Sequence, residues 1–216
     1  PSVDGLWRRF AAHLRRAVQV MAEGLDVHMA HMHKVFPELM LDLLCHGPIE
    51  KGRDATNGGL EYYNLCVDGA ALATVADSFA VLAQRVEREK RLTWDEMIRH
   101  VESNWAGVDG EKARLLARNS ARYGSGGSLG DDYAVRITRL FTDLVKEKPT
   151  PNGFNMIPGL FSWAQMIAYG RDVKATPNGR RNGDPISHGA NPDPGFRKDA
   201  APTALAVAIA GVQPMW

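Results

Sequence analysis

Nine of the chain's twelve prolines lie at or beyond Pro149, at positions 149, 151, 158, 177, 185, 192, 194, 202 and 214. No other feature constrains the fold as strongly. Each proline fixes φ and removes a backbone donor, so neither a helix interior nor a central strand tolerates this density. The length allows one or at most two cores, read here as one domain over 1–216, and the proline pattern divides it into two textures. Residues 1–148 read as helical. Residues 149–216 read as Pro/Gly-rich loop with short strands and an Ala-rich final helix over 201–210.

Within the first stretch, Leu6, Phe10, Leu14, Ala17/Val18, Met21 and Leu25 recur every three or four residues and predict one apolar stripe on a long helix. Pro37 opens a second helix in which Leu39, Met40, Leu43 and Leu44 are expected to be buried, and Gly47-Pro48 ends it. Asn57-Gly58-Gly59 marks a turn in a loop over 52–64. A third helix is expected over 70–90, with Val75, Phe79, Leu82 and Val86 on one face. Thr93-Trp94-Asp95-Glu96 is a capping box that starts a fourth. A shorter helix follows over 111–119. Asp131-Asp132 then place negative charge at the start of a helix reaching Lys146, where it suits the dipole.

Charge narrows the function classes. Twenty-six Lys and Arg against 25 Asp and Glu leave a net charge of +1, which supplies no long-range field to gather nucleic acid or an anionic membrane. No apolar run approaches the ~18 residues that suggest a membrane span. Neither an initiator Met nor a signal-like segment precedes Val3. Two cysteines, Cys45 and Cys66, are too few for a disulfide framework and read as reduced thiols, Cys66 buried or half-buried and Cys45 in the core on an apolar helical face. These features predict a cytoplasmic protein, and both ends read as cut from something larger.

Four stretches could carry chemistry. His28, His31 and His33 cluster on the first helix, and a zinc site is conceivable, but no Glu or Cys completes a recognised spacing. Gly124-Ser125-Gly126-Gly127-Ser128-Leu129-Gly130 lacks both the preceding strand and the lysine of a phosphate loop, and reads as a connector. Cys66 has Asp68 two residues on but no evident group to lower its pKa. The strongest signal is the long loop. Thr176-Pro177-Asn178-Gly179-Arg180-Arg181 sets a tight turn followed by two arginines, and in His188 to Gly195 each of Asn191 and Asp193 precedes a proline, which favours extended backbone. Such a rigid polar stretch suits a cavity wall and equally suits a structural crossover.

Several segments, taken in order, resemble the glycyl radical enzymes of the pyruvate formate-lyase type. They are 50–54 (Glu-Lys-Gly-Arg-Asp), 58–64 (Gly-Gly-Leu-Glu-Tyr-Tyr-Asn), 75–79 (Val-Ala-Asp-Ser-Phe), Tyr123-Gly124, 175–181 with Gly183, 189–192 with Gly195, and 201–204 (Ala-Pro-Thr-Ala). The resemblance implies an α/β fold, a partial ten-stranded β/α barrel that is mainly helical in this segment. It implies a homodimer at full length, working in anaerobic metabolism as a lyase or formate acetyltransferase. Its cofactor would be a glycyl radical installed by an S-adenosylmethionine iron–sulfur activating enzyme, with none bound by this chain itself. Radical cleavage of a C–C, C–O or C–N bond in a small-molecule substrate is the activity implied.

The chain departs from that pattern where reactivity resides. Where the family often has Cys-Ile-Glu-x-Gly, residues 48–52 are Pro-Ile-Glu-Lys-Gly, and no Arg-Val-x-Gly-Tyr-like motif is present. Cys66 falls after the Gly-Gly-x-x-Tyr-Asn region and Cys45 lacks the following carboxylate, so neither takes the thiol's role. The expectation is a fragment without catalytic residues or metal ligands of its own, whose partners are the remainder of the barrel, an activating enzyme and a small substrate. By resemblance Asn191, Pro192 and Asp193 line the substrate cavity, and Arg180 is a structural clamp. Two alternatives stand beside it: a non-catalytic subunit or remnant of the same fold, and a helical metal-binding module using His28, His31 and His33.

Overall fold

The computed structural model of the chain describes residues 1–161, 164–194 and 202–212. The expected helices are there, several with shifted ends. Helix α1 is Val3–Val35, α2 is Leu39–Leu44 and α3 is Pro48–Lys51. Strand β1, Asn64–Asp68, was not anticipated, and it pairs with β2, Asn155–Gly159. Helix α4, Leu72–Val81, runs straight into a wider π-type turn over Leu82–Arg88. Then come α5 (Trp94–Glu102), α6 (Gly107–Arg118), α7 (Leu129–Lys146), α8 (Met166–Asp172) and α9 (Pro202–Gly211). No helix of the described residues is long and apolar enough to cross a membrane.

The chain forms two compact units. The first comprises Pro1–Ala11, Asp68–Thr142 and Gly159–Trp216, and the second Ala12–Val67 and Asp143–Pro158. In the first, α4 is the central element because its small residues allow close approach. Ala73, Ala76 and Ala80 are fully buried, with Leu72, Phe79 and Val81 beside them. Phe79 stands between Trp7 and Tyr133, 5.4 Å from each ring, and the Arg136 guanidinium lies 3.8 Å over Trp7. Helix α5 starts where the capping box places it. Glu96 N–H donates to the Thr93 hydroxyl (3.2 Å), and Thr93 N–H donates back to the Glu96 carboxylate (2.8 Å). That backbone bond holds the Glu96 carboxyl below its ordinary pKa.

The second unit corrects three expectations. The buried stripe of α1 is Val18, Ala22, Asp26 and Met29, whereas Met21 is 50% exposed. The expected core residues of α2 face solvent, with Leu39, Met40, Leu43 and Leu44 between 65% and 78% exposed. The reason is local: Asp42 is the residue turned inward, where its carboxylate accepts the Ala55 N–H at 2.6 Å. The thiols are also more open than expected. Alternation along β1 buries Val67 and leaves Cys66 exposed, and Cys45 is half-buried. The Asn57-Gly58 turn forms as read, with Gly58 at φ +83°.

Candidate functional site

The turn over Thr176–Arg180 is the first piece of the site, in the first unit. It closes by an antiparallel bridge, Thr176 N–H to Arg180 C=O at 3.1 Å, while Gly179 N–H donates to Thr176 C=O at 3.1 Å. Asn178 Oδ1 accepts from the Thr176 hydroxyl (2.7 Å) and from Arg180 N–H (3.2 Å). Gly179 sits at φ +88°, and a Cβ there would meet Arg118 Cγ at 2.7 Å, so only glycine fits. The Arg180 guanidinium turns inward, donating to the carbonyls of Gly170 (3.4 Å), Val173 (2.8 Å), Lys174 and Asp184. It ties four carbonyls, of α8 and of the loops around it, to one planar fork, which an ammonium could not do. Its own carbonyl takes the indole N–H of the fully buried Trp105 at 3.2 Å.

From that turn a buried polar network spreads to the neighbouring elements. Asn178 Nδ2 donates to Asp193 Oδ2 at 3.0 Å, and the same oxygen takes an Arg122 N–H at 3.0 Å. Asp193 Oδ1 accepts the Thr74 hydroxyl, and that hydroxyl oxygen in turn accepts Ser187 N–H at 3.0 Å. Arg122 also lies 2.8 Å from Asp77 Oδ2, while Asp77 Oδ1 takes the N–H of Tyr123 at 2.7 Å. Asp77, Arg122, Asn178, Ser187 and Asp193 are all at most 5% exposed. Two carboxylates thus share one guanidinium in a dry interior. Burial pushes the Asp77 carboxyl up to about 7 against the opposing pull of Arg122, and burial likewise raises Asp193.

This network positions the loop of the predicted cavity residues. Tyr123, fully buried, donates its hydroxyl to the Ala190 carbonyl at 2.7 Å, and Asn191 N–H closes on His188 C=O at 2.7 Å. Asn191 is exposed, Pro192 is half-buried, and Asp193 is buried with both oxygens engaged by internal donors. Asn191, Pro192, Asp193 and Arg180 stand out in the sequence, whereas the role of Asp77, Thr74 and Arg122 does not. One signal was available. Asp77 interrupts the apolar face of α4 between Ala76 and Ala80, and a carboxylate there requires a buried cation.

The remaining sequence candidates lie elsewhere. In the second unit Pro48 is buried as the first residue of α3, and the exposed Glu50 reaches back to accept Gly47 N–H at 2.8 Å, so backbone hydrogen bonds lower its pKa. His28 and His31 are exposed on α1 and His33 is half-buried. Among the described residues no group of three or more His, Cys, Asp or Glu converges on a possible metal site. In the first unit, the Gly-rich segment before α7 is a connector in which internal oxygens take four of the amides. The Asp131 carboxylate accepts Gly124 N–H at 2.7 Å and Ser128 N–H at 2.8 Å.

Comparison with known proteins gives a consistent pattern. The family model described as pyruvate formate lyase-like matches residues 1–170. A (2S)-3-sulfopropanediol dehydratase from Klebsiella oxytoca is 31% identical over 157 residues, 71% of this chain but 19% of that protein. The solved hydroxyproline dehydratase from Clostridioides difficile, with trans-4-hydroxy-L-proline bound, superposes with a TM-score of 0.88 at 25% identity, covering 99% of this chain and 27% of that one. A glycyl radical enzyme from Archaeoglobus fulgidus gives a TM-score of 0.84 at 21% identity over 98% of this chain and 27% of the other. The chain therefore spans about a fifth to a quarter of the length of these relatives.

Proposed function

The chain belongs to the pyruvate formate lyase-like family, and from that premise we propose that it serves as one wall-forming segment of a glycyl radical lyase and has no turnover of its own. The observation that carries this reading is one of proportion. Nearly the whole chain superposes on solved barrels of this type, yet it accounts for only about a quarter of each. Its fold is a partial β/α barrel segment, mainly helical.

The residues present do not fit the radical machinery. Pro48, with no thiol and a ring closed on its own nitrogen, stands where the resemblance expects cysteine. Glu50 is taken up by the Gly47 amide, and no radical-glycine motif occurs in the 216 residues. No chemical step is assigned to this chain for that reason. The same substitution supports a second reading, a non-catalytic subunit or remnant of the fold. The metal-binding alternative finds no support, because among the described residues no three His, Cys, Asp or Glu side chains, these histidines included, come together to hold a metal.

In the favoured reading, the whole enzyme acts in the cytoplasm of an anaerobically growing cell as a homodimer. It depends on an S-adenosylmethionine iron–sulfur activating enzyme. The dehydratases among its relatives favour C–O cleavage in a small hydroxylated substrate. The exposed Asn191 and the adjoining Pro192 would face that substrate, and Asp193 would hold them in place through the network.

Two measurements test this. The purified chain, incubated anaerobically with an activating enzyme and S-adenosylmethionine, should give no glycyl radical doublet by electron paramagnetic resonance and no turnover of a diol or hydroxyproline. A doublet or product defeats the reading. In an assembly that supplies the thiol and radical glycine, Asn191→Ala should lower kcat/KM about tenfold, as expected for one lost hydrogen bond of ~1.4 kcal/mol, with radical yield unchanged. Unaltered turnover would remove Asn191 from the cavity wall.

A further inference from the structure

Helix α2 is inside out. Its sequence is Leu39-Met40-Leu41-Asp42-Leu43-Leu44, and none of the six residues is buried. The polar side chain is the one that faces the protein. Asp42 accepts Ala55 N–H at 2.6 Å, and just before the helix Glu38 N–H donates to Asp54 Oδ2 at 2.8 Å. The apolar side chains face away: Met40 is 70% exposed, Leu43 68% and Leu44 78%, and Phe36 before the helix (68%) and Ile49 after it (65%) continue the patch. A six-residue helix has no stability of its own in water, because nucleation costs more than so few bonds return. Contiguous apolar surface of this kind marks a site of association.

We infer that the outward face of α2, with Phe36 and Ile49, is the seat of the remaining three quarters of a pyruvate formate lyase-like barrel, an inference that rests on the barrel-segment reading above. Size argues for this occupant over a second copy. A stable protein interface buries about 800 Å² on each partner from roughly 20–30 residues. Half a dozen side chains on a short helix fall well below that, but they suffice as one stretch of a larger envelope. An envelope of the right size occurs in the same fold. The matched solved structures cover 98–99% of this chain, including this face, and in each about three quarters of the polypeptide lies outside the matched part. The patch offers no exposed charge within α2 to direct a polar ligand, so the surface it meets must be apolar as well.

The test reads solvent access at Leu43. In a background of Cys45→Ser and Cys66→Ser, Leu43→Cys is labelled with a maleimide. The chain is examined alone and then co-produced with the part of C. difficile trans-4-hydroxy-L-proline dehydratase outside the matched quarter. Alone, labelling should match the rate in urea within a few-fold. In the complex it should fall at least about tenfold, and Leu44→Cys should behave alike. If the complex forms and both cysteines label as fast as before, this surface assignment fails while the barrel-segment reading stands. If no complex forms, both fall. Protection of the isolated chain that grows with its concentration would assign the face to a second copy and overturn the inference.

Discussion

Arg122→Met should lower the free energy of unfolding by about 3–5 kcal/mol, the cost typical of removing one partner from a buried ionic group. Domains of this kind are held by only about 5–15 kcal/mol, so urea denaturation followed by circular dichroism should show a much earlier midpoint or no folded baseline. The variant removes a cation that lies within contact distance of both Asp77 and Asp193. It leaves two carboxyls, at 0% and 4% exposure, without that cation. It also loosens the loop that carries Asn191, because Asp193 loses the Arg122 donor and keeps the Asn178 and Thr74 donors. Adding Asp77→Asn to Arg122→Met should recover part of the loss, since one buried ionisable carboxyl is then removed along with its cation. A change below about 1 kcal/mol in the single variant would show that the network contributes no net stability.

The sequence foretold the helices where periodicity and caps act locally. Thr93 and Glu96 cap α5 in the predicted manner, and Asp131 occupies the start of α7. Burial was legible along α4 and the turn that extends it, though Val75 is only half-buried. Phe79, Leu82 and Val86 are buried as expected, because α4 packs inside its own unit. Leu39, Met40, Leu43 and Leu44 are not, because periodicity says which residues share a face and not which way that face turns. In α2 a single hydrogen-bonded carboxylate, Asp42, sets the direction. Strand β1 was missed because five residues, Asn64 to Asp68, give too short an alternation to separate from a loop.

The candidate site followed the same logic. Its loop was visible through proline and glycine, which act on the local backbone. The network beneath it was not, because Thr74, Asp77 and Arg122 lie up to 119 positions from the Asp193 they serve. Several motifs that carried the family resemblance, Ala76-Asp77-Ser78, Tyr123-Gly124 and the turn at Asn178, meet at this network. In this chain those motifs hold the loops together.

Protonation of that interior gives the second large effect. The unfolded chain releases the Asp77 proton near 3.8, but burial holds it in the folded chain to about 7. Between those values the native state binds the extra proton, so stability falls as pH rises from about 4 to about 7 and is level above that. At about 1.4 kcal/mol per unit of pKa, the fall attributable to Asp77 is about 4 kcal/mol. Asp193, also raised by burial, acts in the same direction. The lowered carboxyls, Glu50, Asp54, Glu89, Glu96 and Glu111, act in the opposite one. Their stabilisation is lost as pH falls through their depressed values, Glu111 titrating at about 2. Above about pH 5 those lowered carboxyls are largely ionised in both folded and unfolded chains, so from 5 to 7 they add little slope against that of the buried pair. Urea midpoints should therefore decline across that limb in the parent chain. In Asp77→Asn the limb should flatten, even though the amide lowers stability overall by placing N–H groups against Arg122 and Tyr123. Parallel limbs in the two proteins would mean that Asp77 enters the folded interior already ionised, with Arg122 fully compensating its burial.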